Sequence, residues 1–201
     1  MTRSRRSGQR FPCAVCGTLV TRRPANEERP RHITCPRCRY MIYDYPRAAA
    51  GVLVVRGDDV LLLERAHPPR RGFLDVPGGF MEAGEEIEAA ARRELREETG
   101  LALGRVDMLG FFWDTYFLSG FGRFPVMNFY FVGHWRRGVP RAADDAASAS
   151  WVPLGALPRL RRRFAWAHMT PLFRELARWA RRRSAADGPA RGRADAGAHR
   201  P

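Results

Sequence analysis

The 201-residue sequence predicts an α/β (α+β) fold with a small four-cysteine module ahead of it. Three observations support this prediction. Strand-like apolar runs lie on both sides of one acidic helix, a second helix-like segment follows the last strand, and two CxxC motifs stand near the N-terminus. The length suits one domain of ordinary size plus a metal-stabilised module, and no apolar run approaches the length that crosses a bilayer.

The first ten residues, MTRSRRSGQR, are basic and lack the hydrophobic region of a signal peptide. We therefore expect residues 1–10 to form a disordered arm, and the protein to be cytoplasmic with no membrane partner. A reduced compartment also suits cysteines that bind a metal as thiolates.

All four cysteines of the chain lie in two motifs, Cys13-Ala-Val-Cys16 and Cys35-Pro-Arg-Cys38, with eighteen residues between them. This spacing is typical of a tetrahedral four-cysteine zinc site, and it predicts a zinc ribbon over residues 11–46. Two disulfides or a redox CxxC are the alternatives, but no secretory segment or βαβ pattern accompanies the motifs. Four thiolates leave no open coordination position, so the predicted Zn²⁺ is structural.

The charge of the chain bears on its partners. The formal net charge is +14, which by itself would indicate a nucleic-acid partner. However, every one of the 35 basic residues is arginine, and Ala, Gly and Pro are abundant. This composition indicates a general bias rather than a phosphate-binding surface, so we do not expect general nucleic-acid binding.

The catalytic part is expected to begin after the ribbon, over residues 47–183. Runs at 50–56 and 60–65 predict two strands joined by the turn Gly57-Asp58-Asp59. The Pro- and Gly-rich segment 66–80 is predicted as a loop that leads to the acidic helix. Further strands are predicted at 106–116, 126–135 and 151–154, and a closing helix over 164–183. Residues 184–201 have no periodicity and are predicted to be a disordered tail.

The acidic helix carries the chemistry. At about 100° per residue, a helix over about residues 86–99 places Glu94, Glu97 and Glu98 within an arc of roughly 100°. These like charges repel one another unless a divalent cation neutralises them. Oxygen-only ligands suit Mg²⁺ or Mn²⁺, which bind one or two carboxylates together with substrate phosphates and can polarise phosphoryl oxygens and activate a water. The sequence therefore predicts a diphosphate substrate.

The other sides of this helix are predicted to serve packing and solvent. An apolar stripe that can seat the helix on a sheet is formed by Ile87, Ala91 and Leu95. Three arginines are predicted on the side opposite the acids: Arg92, Arg93 and Arg96. Ahead of the helix, Gly78 and Gly79 allow a tight turn close to the metal site, with an ordinary turn as the alternative, and Gly100 predicts a left-handed helix stop.

The run from Gly79 to Leu101 reads Gly79, five residues, Glu85, seven residues, Arg93-Glu94-Leu95, one residue, Glu97-Glu98, one residue, Gly100-Leu101. This pattern resembles the signature box of the Nudix hydrolases at every defined position. The resemblance covers about residues 47–180 and implies the Nudix α/β/α sandwich with a mixed sheet. Together with the ribbon, the chain resembles the zinc-ribbon Nudix hydrolases, which include NADH pyrophosphatases and enzymes that split FAD or ADP-ribose, and which are often homodimers.

The resemblance also implies a reaction and roles. Water activated by Mg²⁺ or Mn²⁺ would attack a nucleoside diphosphate linked to a group X, giving a nucleoside monophosphate and phosphorylated X. By matching position, Glu97 and Glu98 are the principal metal ligands, and Glu94 is a further ligand or the base. The resemblance implies that Arg93 pairs with Glu85 to brace the loop that begins at Gly79.

Candidate substrate contacts follow the helix. Asp144 and Asp145 stand where many Nudix enzymes place a further acid, with an exposed turn pair as the alternative. Several aromatic residues could stack on an adenine, among them Trp113, Tyr116 and Phe124, although most are expected in the core. The Gln-Pro-Trp-Pro-Phe-Pro run usual in NADH pyrophosphatases is replaced by residues 117–126, FLSGFGRFPV. The expected substrate is of the NADH, FAD or ADP-ribose type, with NADH itself disfavoured as the preferred one, and a nucleotide-capped RNA end is a further candidate.

A second class of function is a nucleotide-sensing regulator whose ribbon or basic arm contacts RNA or DNA. A sensor has no need for three crowded carboxylates, so the intact acids favour an enzyme. Strong salt dependence of nucleic-acid binding, or the absence of metal-dependent turnover, would favour the regulator.

Overall fold

The computed structural model describes residues 9–22, 32–43, 45–118 and 122–186. The described chain divides into two compact units. Among the described residues, the first unit contains those up to Arg47 and those of Thr115–Pro125, and the second unit contains the rest, including most of the sheet described below. Residues 1–8 of the predicted arm and 187–201 of the predicted tail lie outside the described residues, whereas Gln9 and Arg10 belong to the first strand.

The first unit contains two antiparallel hairpins. One is formed by β1 (Gln9–Pro12) and β2 (Leu19–Arg22), the other by β3 (His32–Thr34) and β4 (Met41–Tyr43). Each CxxC motif lies in the connection between the two strands of one hairpin. The small core consists of Cys13, Val20 and Cys35, with Phe11, Ile33 and Ile42 packed against them. A core in which cysteines take so large a part needs a cross-link or a metal for stability.

The second unit is built on a seven-stranded sheet in the order β11-β6-β5-β10-β9, with β7 paired to β6 and β8 paired to β5. Its strands are β5 (Arg47–Arg56), β6 (Asp59–Arg65), β7 (Leu74–Asp75), β8 (Gly78–Phe80), β9 (Val106–Leu118), β10 (Gly122–His134) and β11 (Ala146–Pro153). Its helices are α1 (Ile87–Thr99), α2 (Leu157–Leu160) and α3 (Met169–Ala186), and short 3₁₀ turns flank α2.

Strand β5 shows why the sheet lies between helices. Val52 and Val54 pack in one hydrophobic cluster with Ala91 and Leu95 of α1. Leu53 and Val55 pack in the other cluster, which contains the α3 residues Leu172 and Leu176. Since successive side chains of a strand point to opposite faces, both faces of the sheet are covered by a helix. The predicted sandwich with a mixed sheet is confirmed.

Several sequence predictions differ from the structure. Strand β11 begins at Ala146, where a strand over 151–154 is predicted, and β10 begins at Gly122, where a strand over 126–135 is predicted. Residues 184–186 of the predicted tail belong to α3. The segment 66–80 was expected to be a loop, but it contains β7 and β8, whose backbones pair with β6 and β5. The closing helix was expected from residue 164, but α3 begins at Met169 and ends at Ala186. Phe164 instead forms a parallel bridge with Leu74, because the segment before α3 pairs with the sheet. In the described part of the chain, no helix is both long and apolar enough to span a membrane.

Candidate active site and cysteine cluster

Helix α1 has the predicted bounds. Glu86 is its N-cap, and it stops at Gly100, which has φ 69° and whose N–H donates to the Arg96 carbonyl at 2.8 Å. Ala91 and Leu95 are buried as expected. The acidic face adjoins this packed face at Glu98, which is only 9% exposed. One of the three acids therefore lies inside the fold and is positioned by it.

Gly78 and Gly79, which are predicted to form a tight turn, lie in strand β8 instead, and Gly78 positions Glu98 from there. Strand β8 pairs with β5 so that Gly78 lies opposite Gly51. A Cβ on Gly78, which has φ 158°, would be 2.6 Å from the Ala50 carbonyl oxygen and 2.7 Å from Gly51 Cα. This close approach, which requires glycine, lets the Gly78 N–H donate to Glu98 Oε2 at 2.8 Å. Gly79 has a related role, because a Cβ there would lie 2.6 Å from the Glu94 carboxylate.

Replacing Gly78 with alanine tests this approach. We expect Gly78→Ala to lower the free energy of unfolding by about 1–3 kcal/mol, because the added methyl group meets backbone atoms that cannot move aside. Denaturant unfolding measures the change. Gly104→Ala is the matched control, since a Cβ at Gly104 meets nothing within 4 Å. Equal stability of the two variants would contradict the close approach.

Arg93 joins the acids and the loop. Its Nε and Nη2 bind the two Glu85 carboxylate oxygens at 2.9 and 3.0 Å, so the ion pair implied by the Nudix resemblance is present. Its Nη1 donates to Glu94 Oε1 at 2.8 Å and to Glu97 Oε2 at 2.9 Å. The prediction that Arg93 lies opposite the acids is wrong, because position 93 is only about 40° from position 97 around a helix.

The acids are incompletely neutralised. Burial raises the pKa of Glu98 to about 8; the Gly78 N–H opposes this shift, and Asp75, Glu94 and Asp145 add to it. Burial likewise raises the pKa of Glu94, against the effect of Arg93. One guanidinium thus does not balance the carboxylates gathered around it. An all-carboxylate donor set of this kind fits a hard divalent cation.

Asp144 and Asp145 lie in an exposed turn, with Asp144 at φ 51°. The turn is also tied to the end of α1, because the Ala143 N–H donates to the Glu98 carbonyl at 3.0 Å. Asp144 contributes to the raised pKa of Glu94, and Asp145 to that of Glu98. The pair therefore lies within electrostatic range of the helix acids.

The sequence reasoning missed Asp75. This residue is 8% exposed, and its Oδ2 accepts from Arg65 Nη1 at 3.1 Å and from Trp166 Nε1 at 2.7 Å. Its Oδ1 accepts from the Val76 N–H at 2.9 Å. Burial raises the pKa of Asp75, and its charge contributes to the raised pKa of Glu98. The available signal was an acid within the apolar run just before the two glycines.

Of the three aromatic residues singled out for base stacking, two are buried. Tyr116 and Phe124 are 9% and 8% exposed and pack edge to face in the first unit, with ring centroids 6.3 Å apart. Arg47 covers the Phe124 ring at 4.8 Å. Trp113 is 56% exposed and keeps a free surface. The structure thus places Tyr116 and Phe124 in a core. Two further aromatic candidates, Phe111 and Phe117, are 54% and 57% exposed, so the expectation that most of these residues lie in the core does not hold for the described ones.

The four cysteines meet as predicted. Their Sγ atoms all lie within 4.8 Å of one another, and in the described ranges they form the only such group of three or more His, Cys, Asp or Glu ligands. The carboxylates of Glu94 and Glu97 are held by Arg93, and that of Glu98 by Gly78. The cysteine Sγ atoms are thus already close enough together to hold one metal ion, whereas the three glutamate carboxylates are bound to other groups of the protein.

The two CxxC motifs have matching backbone geometry. The Gly17 N–H donates to the Cys13 carbonyl at 2.8 Å, and the Arg39 N–H to the Cys35 carbonyl at 3.0 Å. Both residues that follow a motif have positive φ, 71° at Gly17 and 65° at Arg39. Hydrogen bonds with Thr18 lower the pKa of Cys16 to about 6, which favours the thiolate that binds metals.

The sheet lies between two helices, and Gly78 and Gly79 of strand β8 lie against the clustered glutamates of α1. This arrangement is suited to holding a divalent cation and the phosphates of a substrate. The chain belongs to the NUDIX family, since the family model of the NUDIX domain matches residues 45–175. Similarity to a solved structure supports the family assignment at the level of the fold. The chain shares a TM-score of 0.60 and 23% identity with a NUDIX hydrolase from Nitrosomonas europaea, over 87% of this chain and 92% of that one.

Two curated relatives carry functional names. The chain is 32% identical to an ADP-ribose pyrophosphatase from Methanocaldococcus jannaschii, over 70% of this chain and 79% of the relative. It is 34% identical to the NAD-capped RNA hydrolase NudC from Pseudomonas aeruginosa, over 72% of this chain. The aligned part spans 49% of that relative, so the chain covers about half of its length.

Proposed function

We propose that the protein hydrolyses the diphosphate bond of a nucleoside diphosphate linked to a group X, with ADP-ribose or an NAD-type cap as the substrate class. The products are a nucleoside monophosphate and phosphorylated X. The observation that carries this proposal is the arrangement of Glu94, Glu97 and Glu98 against Gly78 and Gly79 of strand β8. The named activities of the two relatives support the same bond as the target.

Each residue of the site has a proposed task. Glu97 and Glu98 would hold Mg²⁺ or Mn²⁺, and Glu94 would be a further ligand or the base that takes the proton of the attacking water. The bound cation would polarise the phosphoryl oxygens and activate a water. Arg93 fixes the loop through Glu85 and keeps Glu94 and Glu97 on one side of the helix. Gly79 leaves the space that the Glu94 carboxylate fills.

The remaining proposals concern the rest of the molecule. Zn²⁺ at the four cysteines would be structural, since four thiolates complete a tetrahedral site. Asp145 lies in electrostatic range of Glu98 and would help to bind cation or substrate, and Trp113 offers an exposed face for a base. A homodimer is expected from the zinc-ribbon Nudix enzymes that the chain resembles, and light scattering tests it.

A substrate screen tests the function. Purified protein with Mg²⁺ or Mn²⁺ is incubated with ADP-ribose, NAD, NADH, FAD, diadenosine polyphosphates, nucleoside triphosphates and NAD-capped RNA. Release of a nucleoside monophosphate is followed by chromatography. We expect turnover of ADP-ribose or of an NAD-type diphosphate, which depends on the cation and is abolished by a chelator.

Turnover confined to nucleoside triphosphates would show that the substrate class is wrong. No turnover of any compound, together with nucleic-acid binding that weakens steeply as salt is raised, would instead support the nucleotide-sensing regulator.

A further inference from the structure

A buried polar network of Asp114, Tyr130 and His168 lies close to strands β5 and β8. His168 is 3% exposed, and its Nδ1 is 2.8 Å from Asp114 Oδ2 of β9. Its Nε2 is 2.8 Å from the hydroxyl of Tyr130 on β10, which is 5% exposed. Burial lowers the pKa of His168, against the effect of Asp114, and so favours the neutral imidazole. A proton on Nδ1 then donates to Asp114, and Nε2 accepts from the Tyr130 hydroxyl.

The Tyr130 ring packs close to the backbone of Gly51 in strand β5. A Cβ on Gly51 would lie 2.8 Å from Tyr130 Cε1 and 2.7 Å from the Pro77 carbonyl oxygen. The ring and the Pro77 carbonyl thus border the same small space above Gly51. Gly51 is the residue that lies opposite Gly78, whose N–H binds Glu98. Tyr130 is therefore linked to the proposed metal ligand Glu98 by three successive contacts, through Gly51 and Gly78.

Strand β7, which precedes the two glycines, is bound by the segment Phe164–His168, here called the brace segment. The Ala165 N–H donates to the Leu74 carbonyl at 2.8 Å, and Trp166 Nε1 donates to Asp75 Oδ2 at 2.7 Å. Asp75 precedes Gly78 by three residues. The brace segment thus fixes Asp75, which lies just before Gly78 in the chain. Through His168 and Tyr130 it also packs against the backbone of Gly51.

Burying polar groups costs free energy even when all of them are hydrogen-bonded, and apolar side chains fill a core at lower cost. A satisfied buried network holds its members in one arrangement. The members of this network end on the backbone whose N–H orients Glu98. The position of the network beside Gly51 and Gly78 therefore indicates a role in addition to filling the core.

We propose that Tyr130 and the brace segment are positioning elements that fix the Gly78 N–H and through it the Glu98 carboxylate. This inference rests on the proposed function, since it assigns Glu98 a task in the reaction. It predicts that the Tyr130 hydroxyl acts on the chemical step although it touches neither substrate nor cation.

Two readouts of Tyr130→Phe test the inference. Amide hydrogen exchange by NMR is expected to be about tenfold faster at Gly78, the effect of losing one hydrogen bond of typical strength, and unchanged at Gly100 at the far end of α1. With substrate, kcat is expected to fall about tenfold, with KM within about twofold, because an interaction that acts on the transition state is lost. Trp166→Phe, which releases Asp75, is expected to change both readouts in the same direction.

Leu176→Ala is the control. Leu176 is fully buried in the same hydrophobic cluster and carries no polar group, so this variant loses stability without disturbing the network. Unchanged Gly78 exchange in Tyr130→Phe, or an equal local change in Leu176→Ala, would overturn the inference. Absence of turnover in the unmodified protein would refute the proposed function, whereas the exchange measurement still decides whether Tyr130 positions Gly78.

Discussion

Changing Glu97 and Glu98 together to glutamine is expected to lower cation-dependent turnover by at least roughly 10³-fold, since a catalytic cation contributes several kcal/mol to the transition state. Glutamine keeps the size of each side chain and removes its charge. The loss would appear as a lower kcat in the nucleoside monophosphate assay and as weaker Mn²⁺ binding by electron paramagnetic resonance. Both changes are expected because the two carboxylates are the proposed ligands.

The same variant separates a lost ligand from a damaged fold. Burial raises the pKa of Glu98 to about 8, so its charge is unfavourable in the fold, and a neutral amide can still accept from the Gly78 N–H. We therefore expect the Tm to stay constant or rise while activity disappears. Glu88→Gln is the matched control, because Glu88 lies on the same helix and is paired with Arg92 instead of Arg93. Comparable activity in the two variants would refute the assignment of the ligands.

Changing Cys13 and Cys35 together to serine is expected to remove one zinc per chain and to unfold the two hairpins of the first unit. These cysteines form most of the fully buried part of that unit. In small zinc domains the binding free energy, about 10–16 kcal/mol, is folding free energy, and without the ion the domain does not fold. Metal analysis of reduced protein and amide NMR of residues 9–43 measure the two effects.

Val15→Ser is the matched control for this experiment. It introduces a serine into the same CxxC motif at a side chain that is 63% exposed, and it should keep both the zinc and the hairpins. Reduced protein without tightly bound metal would show that the zinc prediction is wrong. Folded hairpins in the double cysteine variant would show that the ion is not needed for the structure.

Local sequence predicted the central helix and the meeting of the cysteines well. A helix turns by a fixed angle per residue, so the spacing of Glu94, Glu97 and Glu98 placed them on one face before any contact was known. Gly100 ended the helix because a residue without Cβ accepts the left-handed conformation. The CxxC spacing likewise reflects the short knuckle that presents two thiolates to one ion.

Other features depended on which distant segments meet. Trp166 falls within the segment 164–183 that is predicted as the closing helix, but it precedes α3 and donates to Asp75, ninety-one residues away in the chain. The side chain of Arg93 joins Glu94 and Glu97 of its own helix to Glu85 of the preceding loop, and this combination depends on how the loop folds against α1.

The sequence by itself determined the family resemblance, the acidic helix and the cysteine module, because each is set by spacing within one short segment. Only the tertiary structure decided that Glu98 is buried against Gly78, that Asp75 lies near it, and that Asp114, His168 and Tyr130 form one network. These relations arise when strands and helices far apart in the chain pack together. Packing sets burial, and burial sets which polar groups must find partners.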